Sequence, residues 1–521
     1  MTTRQNLRPR KPGVGDDSGW SKSIATGSDA RVDPTQLRFV AYGGCAALLF
    51  AQIAYNFVDI DLWHQINLIR ASIAAGHLLT ADPFAYVPTV HPMIDHEWGA
   101  GMLAFFLAKW LGGSALLFLK FVAAFATLIL GMRLAERRGG SASVLVFLGP
   151  VYVLLLYLGF LSAVRAQAYS YFFTVCLLWV LESSRCGDHR WLWLGLVAFP
   201  VWVNLHAGFV AGIGLVLLFC IEQALMRAPL RHGLIALVMM TGEVFLNPYG
   251  LKYFSYLFRA LRMSRPRIPE WSPLWTVGWS TTLLFALALA LVSYILVRLR
   301  TLRVPGMLLL AACAVEAVLH RKMLPFLAIA WIAYVPALFE TMPEAHWLQQ
   351  FAKRRRVFIC SVWVVVMVAC AVSATREQFW KVQIPQVAGE PSYPVGAVDY
   401  IAAQGIRGNI FVPFRSGAYV SWKLYPNIKV SVDSRYEVAY PNDWVGRNVR
   451  FYEAREGWRE TLIAYPTDLV LAPRDSTVLP LLHNLLWTPV YLDTQFEIDA
   501  RPGLELSQVD ARNRKFAGVF P

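Results

Sequence analysis

Charged side chains make up only 16% of the 521 residues, against roughly 25% in an ordinary soluble domain. That shortage excludes a water-soluble globule. The seven cysteines, at positions 45, 176, 186, 220, 313, 360 and 370, lie in or beside apolar runs, show no C-x-x-C spacing, and stop at Cys370. Neither a disulfide framework nor a zinc site follows from them. The first long apolar run is followed by no small-residue cleavage site, so it reads as an uncleaved membrane helix. No internal repeat and no nucleic-acid motif is visible.

What is present is apolar surface: 56% of the chain is hydrophobic and 14% aromatic. The formal charge of +14 is an excess that basic loops kept on one side of a bilayer would produce. Stretches long enough to span, about twenty mostly apolar residues, recur near 39–58, 114–132, 143–161, 168–183, 191–204, 207–225, 233–246, 276–297, 304–320, 323–341 and 357–374. These predict about eleven transmembrane helices. Trp98 to Leu111 is too short, carries Lys109 and ends in Gly112-Gly113, which points to an interfacial or re-entrant helix. With that segment not crossing, Arg133/Arg137/Arg138, Arg185/His189/Arg190, Arg227/Arg231, Arg298/Arg300/Arg303 and Lys353 to Arg356 all fall on the side of the basic N-terminus. This is the positive-inside pattern, with the N-terminus in and the C-terminus out.

Three regions follow. Residues 1–38, with Arg4, Arg8, Arg10, Lys11, Lys22, Arg31 and Arg38, read as a disordered basic cytoplasmic tail. Residues 39–374 read as the membrane domain, with an unusually long first outward loop over 59–114. Residues 375–521 turn polar, with β-type runs at Asn409 to Val412, Lys429 to Val432, Asp468 to Leu471 and Pro489 to Asp493, and a helical stretch near Pro394 to Gln404. They predict an extracytoplasmic α/β or α+β domain.

Polar residues gather at the outward helix ends. Asp59-Ile60-Asp61-Leu62-Trp63-His64 stands where the first span emerges. In an extended segment the two carboxylates point to one side, where they can hold a divalent ion or share a proton; in a helix Asp61 and His64 share a face. A carboxylate there suits a general base, and the plainer reading is an N-cap with interfacial polarity. Asp82-Pro83 marks a turn. His91-Pro92-Met93-Ile94-Asp95-His96-Glu97-Trp98 packs four titratable groups before the short helix, yet it is not the H-E-x-x-H zinc motif, because position 100 is Ala100. Arg165, Arg321 and Lys322 are cations on the side where cations are scarce, suited to a phosphate by charge-assisted bonds; snorkelling is the alternative, chiefly for Lys322. Asn204, His206, Glu270 and Trp271 complete the outward set, and Asn247 and Tyr249 read as turn residues.

The long first outward loop with its Asp-rich start, the short non-crossing helix and the further spans resemble the GT-C superfamily of polyprenyl-phosphate-dependent membrane glycosyltransferases, which includes protein O-mannosyltransferases and the aminoarabinose transferase of lipid A. Asp59 to Trp63, Asp82-Pro83-Phe84, His96-Glu97-Trp98, Asn204 to Gly208, Asn247 to Gly250, Glu270-Trp271-Ser272-Pro273, Arg321 to Phe326 and Asn409 to Asp433 resemble landmarks of a bacterial group within it. The resemblance implies an inverting transfer of sugar from a lipid phosphate to an envelope lipid, polysaccharide or protein at the outer face of the cytoplasmic membrane. It assigns the base to Asp59 or Asp61 and the phosphate to Arg165, Arg321 and Lys322, with His64, Asp82, His96, Glu97, Asn204, His206, Glu270 and Trp271 as substrate-site candidates. The mannosyltransferases carry Asp-Glu where this chain has Asp-Ile-Asp, which leaves the choice of base open. The resemblance fixes no cofactor, and a divalent cation at Asp59 and Asp61 is the one the residues allow. The partners expected are the lipid-linked donor, membrane lipids and the acceptor, and no nucleic acid. A transporter or flippase, or a non-catalytic assembly protein of the same fold, are the rival readings; the first predicts inverted repeats and charges in mid-span.

Overall fold

The computed structural model describes residues 34–521 except 163–164, 264, 266–267 and 442. The expected disordered tail therefore lies almost wholly outside the described residues.

Each of the eleven apolar stretches forms a helix, because a backbone surrounded by hydrocarbon must satisfy its own donors and acceptors. The helices are α1 (Pro34–Ile53), α2 (Ile60–Ala75), α3 (Trp98–Leu111), α4 (Gly113–Arg137), α5 (Ala142–Leu156), α6 (Gln167–Arg185), α7 (Arg190–Leu205), α8 (Phe209–Leu225), α9 (Arg231–Glu243), α10 (Lys252–Arg262), α11 (Trp279–Leu299), α12 (Met307–Leu319), α13 (Leu324–Phe339), α14 (Pro343–Arg354) and α15 (Arg356–Ala374). Six described helical segments are long and apolar enough to cross a membrane: Thr35–Ile53, Gly113–Arg137, Ala142–Phe160, Trp279–Leu299, Arg321–Phe339 and Arg356–Ala374. Others of the eleven are shorter apolar helices, among them α7, α8 and α12. The chain is a multi-pass membrane protein. Its exposed apolar side chains, such as Val197, Val238, Val297, Val357 and Val365, are where a lipid-facing surface requires them.

The helix ends sort into two poles. At one, Arg38 pairs with Glu136, Arg138 with Glu182, and Arg185 with Glu222 at 2.7 Å, while the Gly306 N–H donates to Glu222 at 2.9 Å. These residues belong to the basic loops that the charge pattern groups together. At the other pole lie α2, α3 and the ends of α1, α5 and α7. Both ends of α3 adjoin this second pole: Glu97 precedes it beside His96 and His206, and just after it the Ser114 hydroxyl donates to the Trp380 carbonyl at 2.7 Å. The short helix therefore does not cross.

Beyond α15 the chain forms β1 (Gln386–Val387), β2 (Glu390–Pro391), α16 (Val395–Ala403), β3 (Gly408–Phe411), α17 (Phe414–Leu424), β4 (Ile428–Val430), α18 (Tyr436–Ala439), α19 (Trp444–Tyr452), α20 (Trp458–Ala464), β5 (Leu469–Pro473), α21 (Leu479–Asn484), β6 (Thr488–Leu492), β7 (Phe496–Ala500) and β8 (Val509–Asp510). β3 to β8 make a mixed sheet of order β4-β3-β5-β7-β6-β8, with β3 parallel to β4 and β5, and β7 antiparallel to β5 and β6. Four of these strands and α16 match the predicted runs. β7 is the central strand that the predicted runs omit: its carboxylates Glu497 and Asp499 make Phe496-Glu497-Ile498-Asp499-Ala500 look like a solvated segment, yet the whole strand is buried. The α/β domain sits on the second pole. The first outward loop joins it there, with the Val430 N–H donating to the Phe84 carbonyl and the Tyr86 N–H to the Val430 carbonyl, at 2.9 and 3.2 Å.

Candidate active site

The site begins with a helix cap. Asp59 has extended backbone geometry and its carboxylate accepts from the Asp61 N–H at 3.0 Å, which starts α2. Gly76, in the left-handed region at φ 74°, closes that helix. The same Asp59 carboxylate accepts from the Ser162 hydroxyl at 2.9 Å and faces Arg165 Nε at 3.3 Å. Arg165 Nη2 lies 3.3 Å from Asp61, and Nη1 bonds Glu270 in the short 3-10 turn Pro269–Trp271. One guanidinium thus holds three carboxylates from two separate segments.

Asp61 is the more open of the pair, its side chain 28% exposed against 12% for Asp59. Its carboxyl is raised well above the ordinary range, first by burial and then by the Asp59 charge beside it, with Arg165 pulling the other way. Arg165 lies 3.3 Å from each of the two carboxylates. His64, one turn along α2, is 3.8 Å from Asp61 and shares a 2.7 Å hydrogen bond with the hydroxyl of Ser434 from the sheet domain. Burial lowers its pKa to about 4, so the ring is neutral near pH 7.

A second group adjoins the first. Glu97 accepts from the Gln65 amide and lies 3.4 and 3.5 Å from His96 Nε2 and His206 Nε2. Burial pushes Glu97 up, His96, His206 and His64 together push it down by more, and the net is a carboxylate held below its usual range. His206 is lowered to about 3 by burial. Its Nδ1 accepts the Gly208 N–H at 2.9 Å, so the neutral ring carries its proton on Nε2, facing Glu97. His96 in turn meets the Tyr256 hydroxyl at 2.9 Å.

The remaining expected residues divide. Lys322 lies over the Trp271 ring at 3.2 Å, and the Arg321 N–H donates to the Ser272 carbonyl at 3.0 Å, which sets both beside the Glu270 turn. Asn204 accepts from Trp98 Nε1 at 2.9 Å and donates to the Pro200 and Leu246 carbonyls, so it fixes the start of α3. Asn247 accepts the Tyr249 N–H at 2.8 Å in a turn, and His91 is exposed. Asp82 has a fully buried side chain that pairs with Arg435 at 2.8 Å, which also holds Asp433 at 2.7 Å. Residues outside the predicted set also contribute. Ser434 carries no motif signal. Lys120 does, as a lone cation inside an apolar run; its ammonium donates to the Ile53 and Tyr55 carbonyls at 2.7 and 3.1 Å, and it lines a small pocket with Gly159, Phe160, Ser162, Arg165 and Tyr169.

No protein-family model matches this chain, and no curated protein matches its sequence. Solved structures share its architecture, two of them over most of its length. The Cupriavidus metallidurans protein ArnT, bound to undecaprenyl phosphate, is 12% identical with a TM-score of 0.51, the match covering 90% of this chain and 98% of that one. The apo oligosaccharyltransferase of Archaeoglobus fulgidus is 12% identical with a TM-score of 0.50, covering 94% of this chain and 76% of that one. At such identity the likeness is one of fold, and the chain is a multi-pass membrane protein with the GT-C architecture of these glycosyltransferases.

Proposed function

We propose that this protein is an inverting glycosyltransferase that moves a sugar from a polyprenyl-phosphate donor to an envelope lipid, polysaccharide or protein at the outer face of a bacterial cytoplasmic membrane. The observation that carries the reading is Arg165 standing 3.3 Å from both Asp59 and Asp61 at the pole where α1 and α5 end. It brings a candidate base and a phosphate-binding cation within reach of one reacting centre. The shared fold with a protein bound to undecaprenyl phosphate supports the donor class.

Asp61 is the base and Asp59 the orienter, since Asp59 is already committed to the helix cap, Ser162 and Arg165. Asp61 takes the proton of the acceptor hydroxyl or amine as that atom bonds to the anomeric carbon. The bond from the same carbon to the donor phosphate oxygen breaks, and the leaving phosphate gains negative charge. Arg165, Lys322 and Arg321 meet that charge. Arg165 supplies the carboxylate pair with the positive charge that a divalent ion would otherwise bring.

The test uses the full chain in proteoliposomes with labelled polyprenyl-phosphate sugar and envelope acceptor. The wild type releases polyprenyl phosphate and labels the acceptor, and Asp61→Asn slows both by about 10²- to 10⁴-fold. Undiminished transfer by Asp59→Ala, Asp61→Ala and the double variant overturns the base assignment. Movement of intact donor across the bilayer without release of phosphate overturns transfer in favour of a flippase.

A further inference from the structure

We propose that His483, Glu497 and Asp499 form a binding site for a divalent first-row transition-metal ion on the sheet domain. The inference is independent of the transfer reaction. Glu497 and Asp499 are alternate residues of β7, so they share one face of the sheet, opposite Ala472 and Val470 of β5. That face packs with Phe411, Val478, Leu479 and Leu482 in a small core of its own. Ile498 and Ala500, on the other face, belong to the core continuous with the membrane helices. The cluster therefore lies on the sheet face turned away from the cleft of Asp61 and Arg165.

His483, in α21, brings Nε2 to 3.0 Å from Glu497 Oε1 and 3.3 Å from Asp499 Oδ2. One ligand atom from each residue lies within 4.8 Å of the others, and among the described residues no other such group of His, Cys, Asp and Glu occurs. Ligand atoms around a tetrahedral ion bound at about 2.0–2.1 Å stand roughly 3.3 Å apart, so the imidazole already holds nearly that spacing to each carboxylate. Asp499 is 0% exposed and its Oδ2 accepts no hydrogen bond. The imidazole that reaches Asp499 is shared with Glu497, so the buried carboxylate is under-satisfied, which is costly, and a cation between it, Glu497 and the imidazole removes the cost. The His483 side chain is 39% exposed, which leaves the ion a route from solvent and room for water as a further ligand. One imidazole with two carboxylates suits Zn²⁺ or Mn²⁺ rather than a thiolate-seeking ion. The competing explanation is a protonated His483 simply paired with both carboxylates.

Full-length protein in detergent is stripped with chelator, loaded with ZnCl₂ or MnCl₂, desalted and assayed for metal. The expected result is about one ion per chain in the wild type and in Asp61→Asn, at least tenfold less in Asp499→Asn and His483→Ala, and a metal-dependent rise in unfolding temperature seen only where the ion is retained. X-ray absorption of the zinc-loaded wild type should show nitrogen and oxygen ligation including one imidazole, a readout that does not depend on the variants folding. Failure to retain either ion, equal retention in Asp499→Asn, or absence of imidazole from the zinc shell overturns the site and leaves the histidinium ion pair.

Discussion

At the scale of single residues, the shared guanidinium decides the chemistry. Burial raises Asp61 first, and because three carboxylates face the one cation Arg165 the neighbouring Asp59 charge raises it further, so Asp61 holds its proton to higher pH. The sign of the pH dependence follows. A base must be ionised, so kcat/KM falls as pH drops through the raised Asp61 value, and the acid limb lies above the usual carboxylate range near 4. Asp59→Asn removes the second-largest cause of that rise, and the limb is expected to move to lower pH. A pH-rate profile unmoved by Asp59→Asn contradicts the coupling. Arg165→Lys keeps a charge but loses the fork that reaches several acceptors at once, and a drop in kcat/KM of about 10²-fold is expected, measured with the same donor assay.

Among elements, the contact between the first outward loop and the sheet domain is the most sharply constrained. The Arg435 guanidinium is fully buried between Asp82 and Asp433, and leaving a buried ion without its partner costs about 3–5 kcal/mol. Asp82→Asn should therefore lower the thermal midpoint of the detergent-solubilised protein by several degrees; an unchanged midpoint rules out this role. α17 approaches the strand region through Gly417, where an added Cβ would stand 1.8 Å from the Val432 carbonyl. Gly417→Ala is expected to destabilise by about 3 kcal/mol or more. Gly214→Ala, which meets nothing within 4 Å, serves as the neutral control. These contacts mark the limit of what the sequence discloses. The helices were legible because apolar length and loop charge report directly on a bilayer, and Asp59 and Gly76 because caps obey local rules. Asp82 and Ser434 were not, because whether a loop polar residue faces a cleft or a distant arginine depends on pairing across some 350 residues. β7 hid for a different reason: its period-two alternation was present, but burial of its carboxylates is a tertiary fact.

For the whole molecule, the two poles make a prediction about sidedness. Reporter fusions or cysteine labelling should give the 59–114 loop, the segment around Arg165 and the sheet domain one common side, and the loops bearing Arg138, Arg185 and Arg227 the other. Labelling of the first set from opposite compartments would undo both the poles and the reaction proposed for them. The strand β4 stands at the border of its sheet, and the backbone of Phe84 to Tyr86 lies along it through paired hydrogen bonds. Exposed strand borders invite pairing with other chains, so a segment made early in synthesis shields a sheet finished last. Severed near residue 375, the C-terminal third would keep its own strands but lose that shield together with the Asp82 counter-charge, and it should self-associate. The boundary that composition draws is thus not a boundary at which this molecule can be cut.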